Sequence, residues 1–145
     1  MHKVADQIQA GISVPVIHIA DATADKLEAA NIRRVALLGT KYTMTQDFYK
    51  SRLIARGFDV LIPDKKDVEI VNNVIYKELC LGEIREESRA EFSRIIAALK
   101  EKGAEAVILG CTEIGLLVQQ ESSALRIFDT TEIHAVRAAE LALQD

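Results

Sequence analysis

Short, nearly unbroken apolar runs alternate along this chain with stretches whose apolar residues recur at helical spacing, and glycines or prolines punctuate the joints. Val14-Pro15-Val16-Ile17-His18-Ile19, Arg34-Val35-Ala36-Leu37-Leu38, Phe58-Asp59-Val60-Leu61-Ile62, Ala106-Val107-Ile108-Leu109 and Leu125-Arg126-Ile127-Phe128 read as strands. Apolar runs of that length, lacking a polar alternate face, suit strands covered on both sides, as in a parallel sheet. Between them the spacing predicts helices over His2–Ala10, closed by Gly11, and over Asp21–Ala30, Thr43–Arg56, Asp67–Leu81, Glu86–Lys102, Thr112–Gln119 and Thr131–Leu143. In Glu86–Lys102 the residues Phe92, Ile95, Ile96 and Leu99 form one stripe. Strand and helix in alternation predict an α/β fold with a parallel, flavodoxin-like sheet in three layers. The two ends echo each other: each reads as short helix, strand, aspartate-bearing turn (Asp21 or Asp129) and Ala-rich helix.

Composition narrows the classes. With 145 residues, 49% of them hydrophobic and 28% charged, the chain can bury one good core. A formal net charge of -4 supplies no basic field for a phosphodiester backbone, so no nucleic-acid partner is expected. No apolar stretch approaches bilayer length and the amino terminus lacks a signal-type apolar segment, so no membrane partner is expected and a cytoplasmic location is. Cys80 and Cys111 form neither a C-x-x-C pair nor a Cys/His cluster, which argues against a disulfide framework or a metal site.

Two strand ends carry candidate chemistry, because ligands in open parallel sheets bind beyond the carboxyl edge. At the first, Gly39-Thr40-Lys41-Tyr42-Thr43, the hydroxyls of Thr40 and Thr43, backbone N–H groups and Lys41 can hold a carboxylate, while an ordinary Thr N-cap explains the same residues. It matches neither nucleotide-loop spacing. At the second, Gly110-Cys111-Thr112-Glu113, the thiol stands under the amino end of a helix, whose partial positive charge favours thiolate. Alternatively, Cys111 is a small buried apolar residue. Thr112 caps the next helix or binds a ligand carboxylate, and Glu113 is also what macrodipole pairing alone would place there. His18, interrupting an apolar strand, reads as a buried structural imidazole, and Cys80 as a packed thiol.

Taken together, Val107-Ile108-Leu109-Gly110-Cys111-Thr112-Glu113-Ile114, Ala36-Leu37-Leu38-Gly39-Thr40-Lys41-Tyr42-Thr43 and Ile75-Tyr76-Lys77-Glu78-Leu79-Cys80-Leu81-Gly82 resemble the carboxyl-terminal two-thirds of the aspartate/glutamate racemase family. The resemblance implies two α/β domains related by pseudo-twofold symmetry, with an acidic amino acid in the cleft between them. It further implies racemisation at the α-carbon by two opposed acid/base residues, with neither pyridoxal phosphate nor metal. On that basis Cys111 is one of the two bases, and the candidate substrate-binding residues are Thr40, Lys41, Thr43, Thr112 and Glu113. Residues 1–31 are then expected to be a remnant of the first domain, 32–128 the second domain, and 129–145 a terminal helix returning toward the first. The resemblance places the opposing base upstream of Met1, so weak activity is expected of this chain by itself, as well as association into a homodimer. A one-thiol decarboxylase of substituted malonates and a non-catalytic ligand-binding module are the alternative expectations. Cys80 stands where many aspartate racemases carry a lysine, so strict aspartate specificity is not expected.

Overall fold

A computed structural model describes residues 2–144. Its four strands, β1 (Arg34–Leu38), β2 (Asp59–Leu61), β3 (Ala106–Leu109) and β4 (Arg126–Asp129), form one parallel sheet in the order β2-β1-β3-β4. All four residues of β3 are buried, as are the last four of β1, which is why these two strands read as unbroken apolar runs. Side chains alternate across the pleat. Ala36, Leu38, Val107 and Leu109 face a core completed by helices α5 (Lys65–Lys77) and α6 (Glu86–Glu101), whereas Val35, Leu37, Ala106 and Ile108 face α2 (Ile19–Ala29) and α4 (Asp47–Ala55). Helices thus cover both faces, giving the three-layer, flavodoxin-like α/β arrangement.

Strand order sets where a ligand can bind. From β1 the chain crosses to β2 on one side, and from β3 it crosses to β4 on the other, so the order reverses between β1 and β3. In open parallel sheets such a reversal is where helices diverge and ligands bind, beyond the carboxyl ends of the strands. Leu38 pairs with Leu109 in the register, so Gly39 and Gly110 leave the sheet level with one another.

The amino-terminal strand expected at Val14–Ile19 is absent. Residues 14–18 carry no regular structure, and Ile19 already belongs to α2. The apolar pattern is real, but among the described residues no strand lies alongside to take up its backbone. Gln9, on helix α1 (Ala5–Ala10), does so in part: its Oε1 accepts from Val16 N–H at 2.7 Å and its Nε2 donates to the Val14 carbonyl at 3.1 Å. His18 becomes the N-cap of α2, its Nδ1 accepting from Ala20 N–H at 3.1 Å. The helix expected over Thr43–Arg56 is two helices, α3 (Lys41–Thr45) and α4, because Gln46 between them is extended. The element expected at Asp67–Leu81 begins at Lys65, capped by Asp64, and its main body ends at Lys77. The helix expected at Thr112–Gln119 shrinks to α7 (Ile114–Leu117), and the terminal helix α8 spans Thr130–Ala142. Arg52 of α4 pairs with Asp21 of α2 at 2.9 Å and also with Asp6, tying α1 and α2 to the domain.

Candidate active site

Both strand ends singled out in the sequence meet beyond the carboxyl edge of the sheet, at the reversal of strand order. A methyl group built on Gly39 would stand 3.2 Å from Thr43 Cβ and 3.6 Å from the Gly110 carbonyl, and one on Gly110 would stand 3.0 Å from the Leu38 carbonyl and 3.7 Å from Thr43 Cγ2. The two glycine turns therefore touch, with the Thr43 methyl against both. Glycine is required here by close backbone approach rather than by backbone conformation, since neither residue has positive φ.

Cys111 leaves this turn half-buried against the α5/α6 core. Its Sγ donates to Glu113 Oε2 at 2.9 Å. Burial pushes the thiol up, the hydrogen bond to the Glu113 carboxylate adds to this, and ionisation is displaced from 9.0 to about 12. The thiolate expected from the helix amino end is not what this arrangement favours. Helix α7 spans only four residues and starts three positions beyond Cys111, whereas the thiol is half-buried with the Glu113 charge in direct contact, so burial and the carboxylate outweigh the dipole. Glu113 responds in the opposite sense: the Cys111 thiol, followed by the Thr112 hydroxyl, holds its carboxyl below the usual range. The pair rests as thiol and carboxylate.

At the other turn, Thr40 caps α3: its Oγ1 accepts from Thr43 N–H at 3.3 Å and lies 3.1 Å from Thr43 Oγ1. Both hydroxyls are half-buried and already engaged with each other. Lys41 points toward α5, where its ammonium pairs with Glu69 and its backbone N–H donates to Asn72 Oδ1 at 2.8 Å. Thr112 is exposed beside Cys111. Of the six candidate residues, Thr40 and Thr43 thus stand at one glycine turn and Cys111, Thr112 and Glu113 at the turn it touches, while the Lys41 side chain is drawn aside by Glu69. A groove of about 430 Å³ lies elsewhere, between Ala30, Arg126, Phe128 and Val136, and Cys111 does not line it. Among the described residues no group of three or more His, Cys, Asp or Glu side chains is placed to hold a metal ion.

Sequence reasoning read the Asp129 turn between the last strand and the terminal helix but missed what Thr130 does there. Thr130 is buried, and its hydroxyl donates to the Leu109 carbonyl at 2.8 Å, just ahead of the cysteine turn. Asp129 caps α8 through Thr131 N–H at 2.8 Å, and its carboxylate lies so close to Gly115 that a methyl group there would stand 2.5 Å from Oδ2. Asp-Thr-Thr at a strand-to-helix joint signals an N-cap. Only the pairing of Leu109 with Asp129 reveals that the second residue reaches across to β3.

Known proteins share this fold. A Yersinia pestis protein solved as a candidate Asp/Glu racemase superposes with a TM-score of 0.95 at 50% identity, over 99% of this chain and 63% of its own. An aspartate racemase homologue from Pyrococcus horikoshii gives 0.91 at 38% identity, over 99% of this chain and 63% of that one. A protein of Pectobacterium carotovorum subsp. carotovorum, described as uncharacterized and in the pnlA 3′ region, is 34% identical over 119 residues, 81% of this chain and 78% of its own. This chain spans just under two thirds of the length of the two structural relatives. Its residues 1–138 match the family model described as Asp/Glu/Hydantoin racemase, and the chain belongs to that family.

Proposed function

We propose that the chain carries one acid/base face of a cofactor-independent site that moves a proton at the α-carbon of aspartate or glutamate, with Cys111 as the group that exchanges it. The observation that carries this reading is the thiol–carboxylate pair, Sγ to Oε2 at 2.9 Å, standing where the sheet order reverses.

The α-hydrogen of an amino acid is weakly acidic, so its removal needs a strong base and stabilisation of the charge that flows onto the carboxylate. A sulfur that gives up its proton reluctantly is, once ionised, a correspondingly strong base. In the resting pair it is the acid: the S–H bond breaks as a C–H bond forms on the substrate carbanion, leaving thiolate beside Glu113. In the reverse step thiolate takes the α-hydrogen. The α-ammonium of a bound amino acid brings positive charge to the sulfur and offsets the Glu113 charge, easing ionisation only when substrate is present. Glu113 is a positioning residue: it holds the S–H vector and keeps the thiol protonated between turnovers. Thr40, Thr43 and Thr112, with the N–H groups that open α3, form the substrate-carboxylate side, where fixed donors oppose the developing charge.

A single thiol face exchanges hydrogen without inverting configuration. Incubation of each enantiomer of aspartate and glutamate in deuterium oxide, read by proton NMR and chiral chromatography, tests this directly. The expected result is deuterium incorporation with little inversion, reduced at least about 100-fold in Cys111→Ala. Exchange that survives Cys111→Ala removes the thiol from the mechanism. The protonated resting thiol also suits one-sided protonation of the carbanion left by loss of carbon dioxide from a substituted malonate. Carbon dioxide release without α-exchange would favour that reaction.

A further inference from the structure

We infer that Thr130 is a positioning residue for Cys111, acting through the peptide unit between Leu109 and Gly110. The carbonyl of that unit accepts the Thr130 hydroxyl at 2.8 Å, and its N–H donates to the Leu38 carbonyl at 2.7 Å. One rigid plane is therefore held from both sides, by β4 through a side chain and by β1 through backbone.

The local sequence explains why a side chain is needed. Leu109 is opposite Asp129, the last residue of β4, and the next residue opens α8, so the backbone ladder ends there. The hydroxyl of Thr130 adds one more rung where no strand remains. The turn is also closely packed: a methyl group on Gly110 would meet the Leu38 carbonyl at 3.0 Å and Leu37 Cδ1 at 3.2 Å. Cys111 follows directly from this plane, and its Sγ reaches Glu113 at 2.9 Å only if the plane keeps its tilt. Of the two hydrogen bonds that hold the plane, that of Thr130 alone comes from a replaceable side chain. Thr130 is 2% exposed, so water cannot substitute for the lost donor without a rearrangement. One helical turn further along α8, the His134 ring meets the Ile17 carbonyl at 2.8 Å. The helix that steadies the cysteine turn thus also holds the irregular segment before α2.

The bearing of Thr130 on catalysis rests on the function proposed above. Its bearing on the thiol does not, and the experiment separates the two. Alkylation of Cys111 by iodoacetamide is followed across pH in the wild-type chain carrying Cys80→Ser, and then in that background with Thr130→Val, Thr130→Ser or Leu53→Ala. Thr130→Val keeps the shape and removes the hydroxyl, Thr130→Ser keeps the hydroxyl, and Leu53→Ala weakens the opposite core without touching the turn. The expected result is a midpoint lowered by about one pH unit in Thr130→Val, which is roughly tenfold faster alkylation at fixed pH below it. Thr130→Ser restores the wild-type profile and Leu53→Ala leaves it unmoved. If Thr130→Val does not fold, Thr130→Ala provides the same comparison without the β-branch. A wild-type alkylation profile in the hydroxyl-free variant overturns the assignment, as does an equal change in Leu53→Ala. In the deuterium-exchange assay the hydroxyl-free variant is expected to lower kcat while KM stays within about twofold. A changed thiol profile without any exchange activity in the parent would leave Thr130 in place and count against the function instead.

Discussion

Cys111 was conspicuous in the sequence because an apolar run ends abruptly at Gly110, but its charge state was not. Helix-dipole reasoning pointed to thiolate, whereas burial, reinforced by a carboxylate two positions on in contact with the sulfur, holds the proton there. The sequence shows Glu113 next door without showing how deeply the sulfur is buried or which way the carboxylate turns; burial raises the thiol most, and the carboxylate adds to it. Glu113→Gln removes the adjacent negative charge while keeping an acceptor, so the thiol is expected to ionise at lower pH. Iodoacetamide at pH 8 is then expected to label it about tenfold faster than wild type, a change of one pK unit. The linkage also has a direction. Because ionisation of the folded thiol lies above the ordinary 9.0, at about 12, the unfolded chain loses its proton first, and this group's contribution to stability falls as pH rises through that interval. Thr40 and Thr43 were legible as either a cap or a carboxylate cradle. The hydrogen bond between Thr40 Oγ1 and Thr43 N–H makes the cap a fact and leaves the cradle to be tested with substrate.

At the level of elements, the four strands that form the sheet were all visible, β1 and β3 as buried apolar runs and the edge strands β2 and β4 as shorter apolar stretches with charged ends, and their ends shift by a residue or so at most. The fifth expected strand failed for a reason that periodicity cannot express. Apolar alternation reports a segment's capacity to pair, while pairing depends on a neighbour, and Val14–His18 has none among the described residues. The same segment ends in His18, read correctly as buried and structural but not as a cap. As the α2 N-cap it must keep Nδ1 unprotonated to accept from Ala20 N–H. Burial, with Arg52 nearby, holds its proton affinity below the ordinary 6.5, although Asp21 and Asp6 oppose this. Burial acts on His2 in the same direction, and its ring lies 5.3 Å from that of His18. As pH falls below about 6.5 the unfolded chain takes up protons that the folded rings resist, so stability declines on acidification. Urea denaturation is expected to show a lower midpoint at pH 5.5 than at pH 7.5. His18→Asn, which retains an acceptor at the cap, is expected to flatten that difference; an unchanged slope would mean that other groups carry it.

For the molecule as a whole, alternation of short strands and helices was sufficient to assign the fold class, but not to place the site within it. The reversal of strand order between β1 and β3 brings Gly39 and Gly110 together across 71 positions of chain, a relation that neither segment contains alone. The surface adds a separate expectation. Ile8, Ile12 and Val14, from 37% to 64% exposed, cluster where the chain folds around Gln9. Apolar residues grouped in this way favour association. Sedimentation velocity is expected to show concentration-dependent self-association, reduced by Ile12→Asp together with Val14→Asp; a single slow species at every concentration would contradict this.

The bond between Thr130 and the Leu109 carbonyl also gives synthesis an order. The two partners lie 21 positions apart, and the hydroxyl is made second. While the ribosome is still extending the chain, the cysteine can emerge and β1 can meet β3 with no anchor on the far side. A product arrested or clipped ahead of position 130 would lack this bond, and its Leu109–Gly110 plane would be held from the β1 side alone.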